Sequence, residues 1–122
     1  YGVEWLNYTS REMLVHLLSK ALAFVFPSVV EGWGLPPIEA MALGTPALVS
    51  NIPACQQACK EAAIYIDSYL DPFSWAKEIG KLLEIESYYL DRAIKGVELG
   101  RLQSHDEYQI QLARMYRKVL GG

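Results

Sequence analysis

Three short apolar runs without polar alternation constrain the fold of this chain most strongly. They cover residues 23–26, 47–49 and 63–66. A strand with one solvated face alternates between apolar and polar residues, so these runs predict strands covered on both faces, as in a parallel sheet. Segments with helical apolar spacing lie between the runs. This order favours an α/β domain whose strands are joined by right-handed helical crossovers.

Further signals extend this α/β pattern toward both ends of the chain. Residues 3–6 form another apolar-rich run and predict a fourth strand. Thr9 with Glu12, and Ser104 with Glu107, have the spacing of a capping box and predict two helix starts. Asp71 before a proline predicts a third. We therefore expect a partial doubly wound parallel sheet with helices on both faces and further helices at the C-terminal end.

Size and charge exclude several classes of function. The chain has 122 residues, enough for one domain, with 11 Lys and Arg against 14 Asp and Glu. A net charge of −3 gives no electrostatic footprint for nucleic acid, so no nucleic-acid partner is expected. No apolar run approaches the ~20 residues that a membrane span requires. Two cysteines do not make a disulfide scaffold and favour a reducing, cytoplasmic location.

The most informative segment is a glycine-containing loop between a predicted strand and a predicted helix. Residues 27–35 form the loop, which contains Gly32 and Gly34, and Pro36 and Pro37 suit the first turn of the helix that follows. Open parallel sheets bind ligands outside the carboxyl ends of their strands, where this loop lies. Unpaired N–H groups at a helix start attract anions, so the segment predicts a diphosphate site.

Two carboxylates flank this loop and helix start. Glu31 lies in the loop and Glu39 in the helix, with seven residues between them. A carboxylate accepts hydrogen bonds only, and the vicinal hydroxyls of a sugar are matched donors. A diphosphate with a sugar on each side would explain both residues. Taken singly, Glu39 would be a glutamate stabilised by the helix dipole and Glu31 a solvated loop acid.

These residues together resemble the signature of glycosyltransferase family 4, whose members are retaining transferases of the GT-B architecture. The resemblance is carried by four blocks: Pro27-Ser28, Glu31-Gly32-Trp33-Gly34-Leu35-Pro36, Glu39-Ala40-Met41-Ala42 and Gly44-Thr45-Pro46. It continues weakly over residues 3–120. It implies that residues 1–122 are the latter part of a Rossmann-like, donor-binding C-terminal GT-B domain. The N-terminal acceptor domain and the upstream donor-site segment would then lie before Tyr1.

The resemblance also implies a role for each residue of the loop and helix. Glu31 takes the position that contacts the transferred sugar and has been discussed as catalytic, and Glu39 the position that holds the ribose. Backbone amides implied to face the diphosphate and sugar are those of Gly32, Trp33, Gly34 and Leu35. We further expect Thr45 to approach the donor, because it starts the next strand near the same edge.

A nucleotide-diphosphate-sugar is expected as substrate, with a glycan, a lipid-linked molecule or a small molecule as acceptor. No metal and no other cofactor is expected. The sequence departs from the family where Trp33 replaces a usual Phe, Gln57 a frequent Glu and Lys60 a frequent Gly. Cys55 and Cys59 lie one helical turn apart without a nearby histidine, which favours buried free thiols over a metal site.

Two other functions remain open. These residues could form a folded module that binds a nucleotide-sugar weakly or not at all, since half of the expected cleft is absent. The same architecture could also serve a phosphorylase or a sugar epimerase. Those reactions require a cofactor-binding lysine or a different set of acids and bases, and the sequence supplies neither.

Overall fold

Helices and strands alternate along the chain in a layered α/β fold. The computed structural model describes residues 2–30, 35–103, 114, 117 and 118. Over this part of the chain the elements are, in order, α1 (Arg11–Lys20), β1 (Phe24–Phe26), α2 (Leu35–Ala42), β2 (Ala47–Ser50), α3 (Pro53–Cys59), β3 (Ile64–Ile66), α4 (Pro72–Glu84) and α5 (Glu86–Leu102).

The strands form one parallel sheet in the order β1-β2-β3, with β2 in the centre. Because side chains alternate along a strand, Val49 and Leu48 point to opposite faces of β2. Val49 packs into a core with residues of α2, α3 and α5, whereas Leu48 joins a second core with Trp75 and Leu82 of α4. Helices therefore cover both faces, and the predicted Rossmann-like α/β class is confirmed.

The first ten residues differ from the sequence prediction. Residues 3–6 form no strand, and the side chains of Val3 and Trp5 are 90% and 84% exposed. An apolar run predicts a strand only where a neighbouring strand can pair with it, and no described strand lies beside this run. The cap of α1 is Ser10 rather than Thr9, because the Ser10 hydroxyl accepts a hydrogen bond from the amide of Met13.

Local signals mark the bounds of the later helices, and Asp71 marks the start of α4 as predicted. Gly44 follows α2 with φ +86°, in the left-handed region that glycine adopts readily. Asp71 caps α4 by accepting a hydrogen bond from the amide of Phe73 at 3.1 Å. Lys60 follows α3 with φ 48° and ψ −128°, the first central position of a type II′ turn. Glycine is preferred there, which explains the family's frequent glycine at this position.

Helix α5 contacts α2 very closely at two glycines. A Cβ atom on Gly100 would lie 2.6 Å from the Cβ and 2.7 Å from the Cα of Ala42. A Cβ on Gly96 would lie 2.8 Å from the Cβ of Met41. Separations this short essentially never occur, so only glycine at both positions allows this approach of the two helices.

The helix predicted from Ser104 and Glu107 lies outside the described residues. Within the part of the chain that is described, no helix is long and apolar enough to cross a membrane.

Candidate functional site

The candidate site lies where β1 ends and α2 begins. Strand β1 ends at Phe26, and the Ser28 hydroxyl then donates a hydrogen bond to the carbonyl of Val30 at 3.0 Å. The described chain resumes at Leu35, the first residue of α2. Because β1 is parallel to its neighbour, this loop and helix start lie at the carboxyl edge of the sheet, where ligands bind in such folds.

The predicted catalytic Glu31 and the predicted donor-binding residues Gly32, Trp33 and Gly34 lie outside the described residues, so their roles stay predictions. Leu35 begins α2, as the predicted diphosphate site requires, and its contact with a donor is likewise a prediction.

The two prolines restrict which amide groups an anion could meet. They occupy the second and third positions of α2, and proline has no N–H. The backbone N–H donors of the first turn are therefore those of Leu35, before the two prolines, and Ile38, directly after them. If a diphosphate binds here, most of its backbone hydrogen bonds must come from Leu35 and the loop before it rather than from the body of the helix.

Glu39 presents its carboxylate to solvent from the second turn of α2. It is the fifth residue of the helix and is exposed, whereas its neighbours Ile38 and Ala40 are buried. No described residue forms a hydrogen bond or an ion pair with its carboxylate. The helix dipole acts mainly on the first turn, so the purely dipolar explanation of Glu39 is weaker than the sequence suggested. The carboxylate is available to a ligand.

Thr45 lies at the opposite edge of the sheet, so the reason given for its approach to the donor, a position near the same edge, is wrong, and its contact with a donor stays a prediction. It precedes β2, and the start of a parallel strand lies at the amino edge of the sheet. Its side chain is 2% exposed, and its hydroxyl donates a hydrogen bond to the carbonyl of Leu18 in α1. The start of β2 lies at the opposite edge of the sheet from the end of β1, and Thr45 joins α1 to the turn before β2.

A polar network farther along the carboxyl edge was not predicted from the sequence. Asn51 and Asp67 directly follow β2 and β3, and the Asn51 amide donates a hydrogen bond to the Asp67 carboxylate. The Gln56 amide donates in turn to the side-chain oxygen of Asn51. A shallow cleft of about 460 Å³ begins at Asp67 and is lined by the loop through Asp71. Polar residues placed directly after two buried strands are the signal that could have identified this network.

One buried hydroxyl beside this network has no hydrogen-bond partner among the residues that the structure describes. Ser50 ends β2 and is fully buried, and no described group hydrogen-bonds with its Oγ. An unsatisfied buried hydroxyl costs about 1–3 kcal/mol. At the carboxyl end of the central strand, the described residues thus leave one buried side-chain group without a hydrogen bond.

The described residues contain no group of three or more histidine, cysteine or acidic side chains arranged to hold a metal ion. Cys55 and Cys59 are buried thiols that form no disulfide, as predicted. Burial, and secondarily the neighbouring Cys55, raises the pKa of Cys59 to about 12, so its neutral form dominates at physiological pH.

Comparison with known proteins decides the family. The family described as glycosyl transferases group 1 matches residues 2–97 of the chain. The chain belongs to this family. The predicted resemblance is thereby confirmed, and the glycine-containing loop and α2 lie within the matched region.

Among the relatives of this group 1 chain is the O-antigen chain mannosyltransferase RfbU of Salmonella typhimurium, 41% identical over 83 residues. That match covers 68% of the chain and 23% of the relative. A D-inositol 3-phosphate glycosyltransferase of Corynebacterium urealyticum is 29% identical over 120 residues, which cover 97% of the chain and 28% of the relative. The chain thus spans about a quarter of the length of these relatives.

A solved structure has the same architecture. Sucrose-phosphate synthase from Thermosynechococcus elongatus superposes with a TM-score of 0.82 at 26% sequence identity. The superposition covers 95% of this chain and 30% of the synthase. The fold of this group 1 chain is therefore a GT-B Rossmann-like α/β fold, with the parallel sheet and flanking helices described above.

Proposed function

We propose that this chain is the donor-binding part of a retaining glycosyltransferase, which transfers a sugar from a nucleotide-diphosphate-sugar to an acceptor hydroxyl. The exposed carboxylate of Glu39, with which no described residue forms a hydrogen bond or an ion pair, is the observation that carries the proposal. It lies on a helix that starts at the carboxyl edge of a parallel sheet, directly after a glycine-containing loop. Membership of the group 1 family, and two relatives named as a mannosyltransferase and a glycosyltransferase, support it.

In this proposal the amide groups of Gly32 to Leu35 bind the diphosphate, and Glu39 accepts hydrogen bonds from the ribose hydroxyls. Glu31 contacts the transferred sugar. The rate enhancement then comes from orientation of the donor and from stabilisation of the departing diphosphate by backbone dipoles. No metal and no further cofactor takes part.

The acceptor is a hydroxyl of a glycan, of a lipid-linked molecule or of a small molecule. It would be bound largely by a second domain of the same protein, in keeping with the larger size of the relatives. We propose a cytoplasmic location, supported by two cysteines that form no disulfide.

The test is Glu39→Ala in the full-length protein, with donor KM and turnover measured for a panel of nucleotide-sugars. Loss of two hydrogen bonds to a charged acceptor predicts a weakening of donor binding of about 2–4 kcal/mol. Glu98→Ala, which removes another exposed helical carboxylate, is the matched control and should leave donor KM unchanged.

Glu31→Gln separates the roles of the two acids, because it should lower turnover more than donor affinity. If both glutamate variants behave like the unmodified enzyme, or if no nucleotide-sugar supports transfer, the proposal is wrong.

A further inference from the structure

We propose that Gly96 and Gly100 of α5 are positioning residues that set donor affinity through α2. The inference rests on the proposed function, since it takes Glu39 of α2 as a donor contact. The two glycines touch no ligand themselves. They determine how closely α2 lies to α5, and with it the position of the Glu39 carboxylate.

The contact at Gly100 involves backbone, so it cannot be relieved by a side-chain rotation. An added Cβ would meet the Cα of Ala42 at 2.7 Å and its amide nitrogen at 3.4 Å, besides its Cβ at 2.6 Å. At Gly96 an added Cβ would meet the Cβ of Met41 at 2.8 Å, its Cγ at 3.2 Å and its carbonyl oxygen at 3.2 Å. The Cβ of Met41 is fixed by the backbone, so alanine at either position must move a helix backbone, and the required shift is smaller at position 96 than at position 100.

Polar contacts hold α5 in place on its other neighbours. The Arg92 guanidinium donates a hydrogen bond to the carbonyl of Glu61 at 3.1 Å. The Gln103 amide, directly after the last residue of α5, donates to the carbonyl of Ala58, also at 3.1 Å. Because these two bonds tie α5 to α3 and the turn after it, a displacement forced at Gly100 is not taken up by α5 alone and reaches α2.

A displacement of α2 reaches the candidate site directly. Glu39 lies three residues before Ala42, within one turn of the same short helix. Removing the overlap at Gly100 requires a shift on the order of 1 Å, and a misplacement of that size can reduce catalytic efficiency by about 100-fold. The loop that precedes Leu35 is attached to the same helix and would move with it.

The experiment compares Gly100→Ala, Gly96→Ala and Gly80→Ala in the full-length protein. Gly80 lies in α4, where an added Cβ would meet nothing within 4 Å, so it is the matched control. Donor dissociation constants by calorimetry, donor and acceptor KM, and Tm are measured for each variant, at a temperature well below every Tm.

We expect donor dissociation constants to rise by about 10-fold or more for Gly100→Ala, less for Gly96→Ala, and not at all for Gly80→Ala. Acceptor KM should stay constant in all three. If Gly100→Ala does not fold, the milder Gly96→Ala decides. Folded glycine variants with lower Tm but unchanged donor affinity would assign both residues a purely structural role and overturn the inference. Absence of donor binding by the unmodified protein would instead refute the proposed function.

Discussion

At the scale of single residues, Lys60 stands out because its backbone adopts a conformation that glycine favours and residues with a Cβ atom rarely adopt. A residue with a Cβ is strained by about 1–3 kcal/mol at φ 48° and ψ −128°, in a region that glycine adopts freely. The turn is nevertheless kept, because the Tyr65 hydroxyl donates a hydrogen bond to the carbonyl of Lys60. The lysine thus occupies a position whose geometry is imposed by its surroundings.

Lys60→Gly should therefore stabilise the protein by about 1 kcal/mol, the relief of strain exceeding the greater chain entropy of glycine in the unfolded state. Urea denaturation measures the change. Lys77→Gly, in the middle of α4, should instead destabilise by about 1 kcal/mol, because glycine is a poor helix former. A loss of stability at position 60 would contradict the turn assignment.

Burial of the Cys59 thiol makes stability depend on alkaline pH. The folded state raises the pKa of this thiol from 9.0 to about 12, so it favours the neutral form relative to the unfolded chain. That contribution to stability is fully present below pH 9 and is lost as the pH rises from 9 toward 12. The free energy of unfolding should fall by about 1–2 kcal/mol between pH 8 and pH 10. In Cys59→Ala the fall should be visibly smaller, and equal slopes for the two proteins would refute this origin.

At the scale of elements, Thr45 joins α1 to the turn before β2. In Thr45→Val the shape is kept but the buried hydroxyl that donates to the Leu18 carbonyl is lost, so we expect a destabilisation of about 1–3 kcal/mol. Thr45→Ser, which keeps the hydroxyl, should recover most of this. Donor KM should not change in either variant, because Thr45 lies at the amino edge of the sheet. A change in donor KM without a change in stability would restore the role first expected of it.

Most elements could be predicted from the sequence because their signals are local. The buried strands β1, β2 and β3 follow from uniform apolar runs, and the start of α4 follows from Asp71 and the proline after it. The strand expected at residues 3–6 failed because pairing is not local: an apolar run does not reveal whether a neighbouring strand exists. The Thr9 cap failed because Ser10, one residue later, is an equally good acceptor.

The candidate site was predictable only in part, for a related reason. Glu39 and Leu35 could be located because sequence distance from a helix start fixes their position along α2. Thr45 was misplaced because its position depends on strand direction rather than on sequence proximity. The close contact of Gly100 with α2 joins residues nearly 60 positions apart, and no local pattern indicates it.

At the scale of the molecule, the candidate site and the internal contacts of Thr45 lie at opposite edges of the sheet. Its carboxyl edge carries the loop before Leu35, the Glu39 helix and the Asn51–Asp67 network. Its amino edge carries Thr45 and the end of α1, whose contacts are internal. Variation at the carboxyl edge should alter ligand affinity first, and variation at the amino edge should alter stability first.

The proline pair at the start of α2 has a consequence for how such an enzyme can diversify. Helical hydrogen bonding cannot spread backward past Pro36 and Pro37, because neither ring nitrogen can donate. Residues that are inserted or exchanged in the preceding loop therefore cannot lengthen α2 by an extra turn. The loop can therefore change in sequence and length while the helix and sheet behind it keep their register.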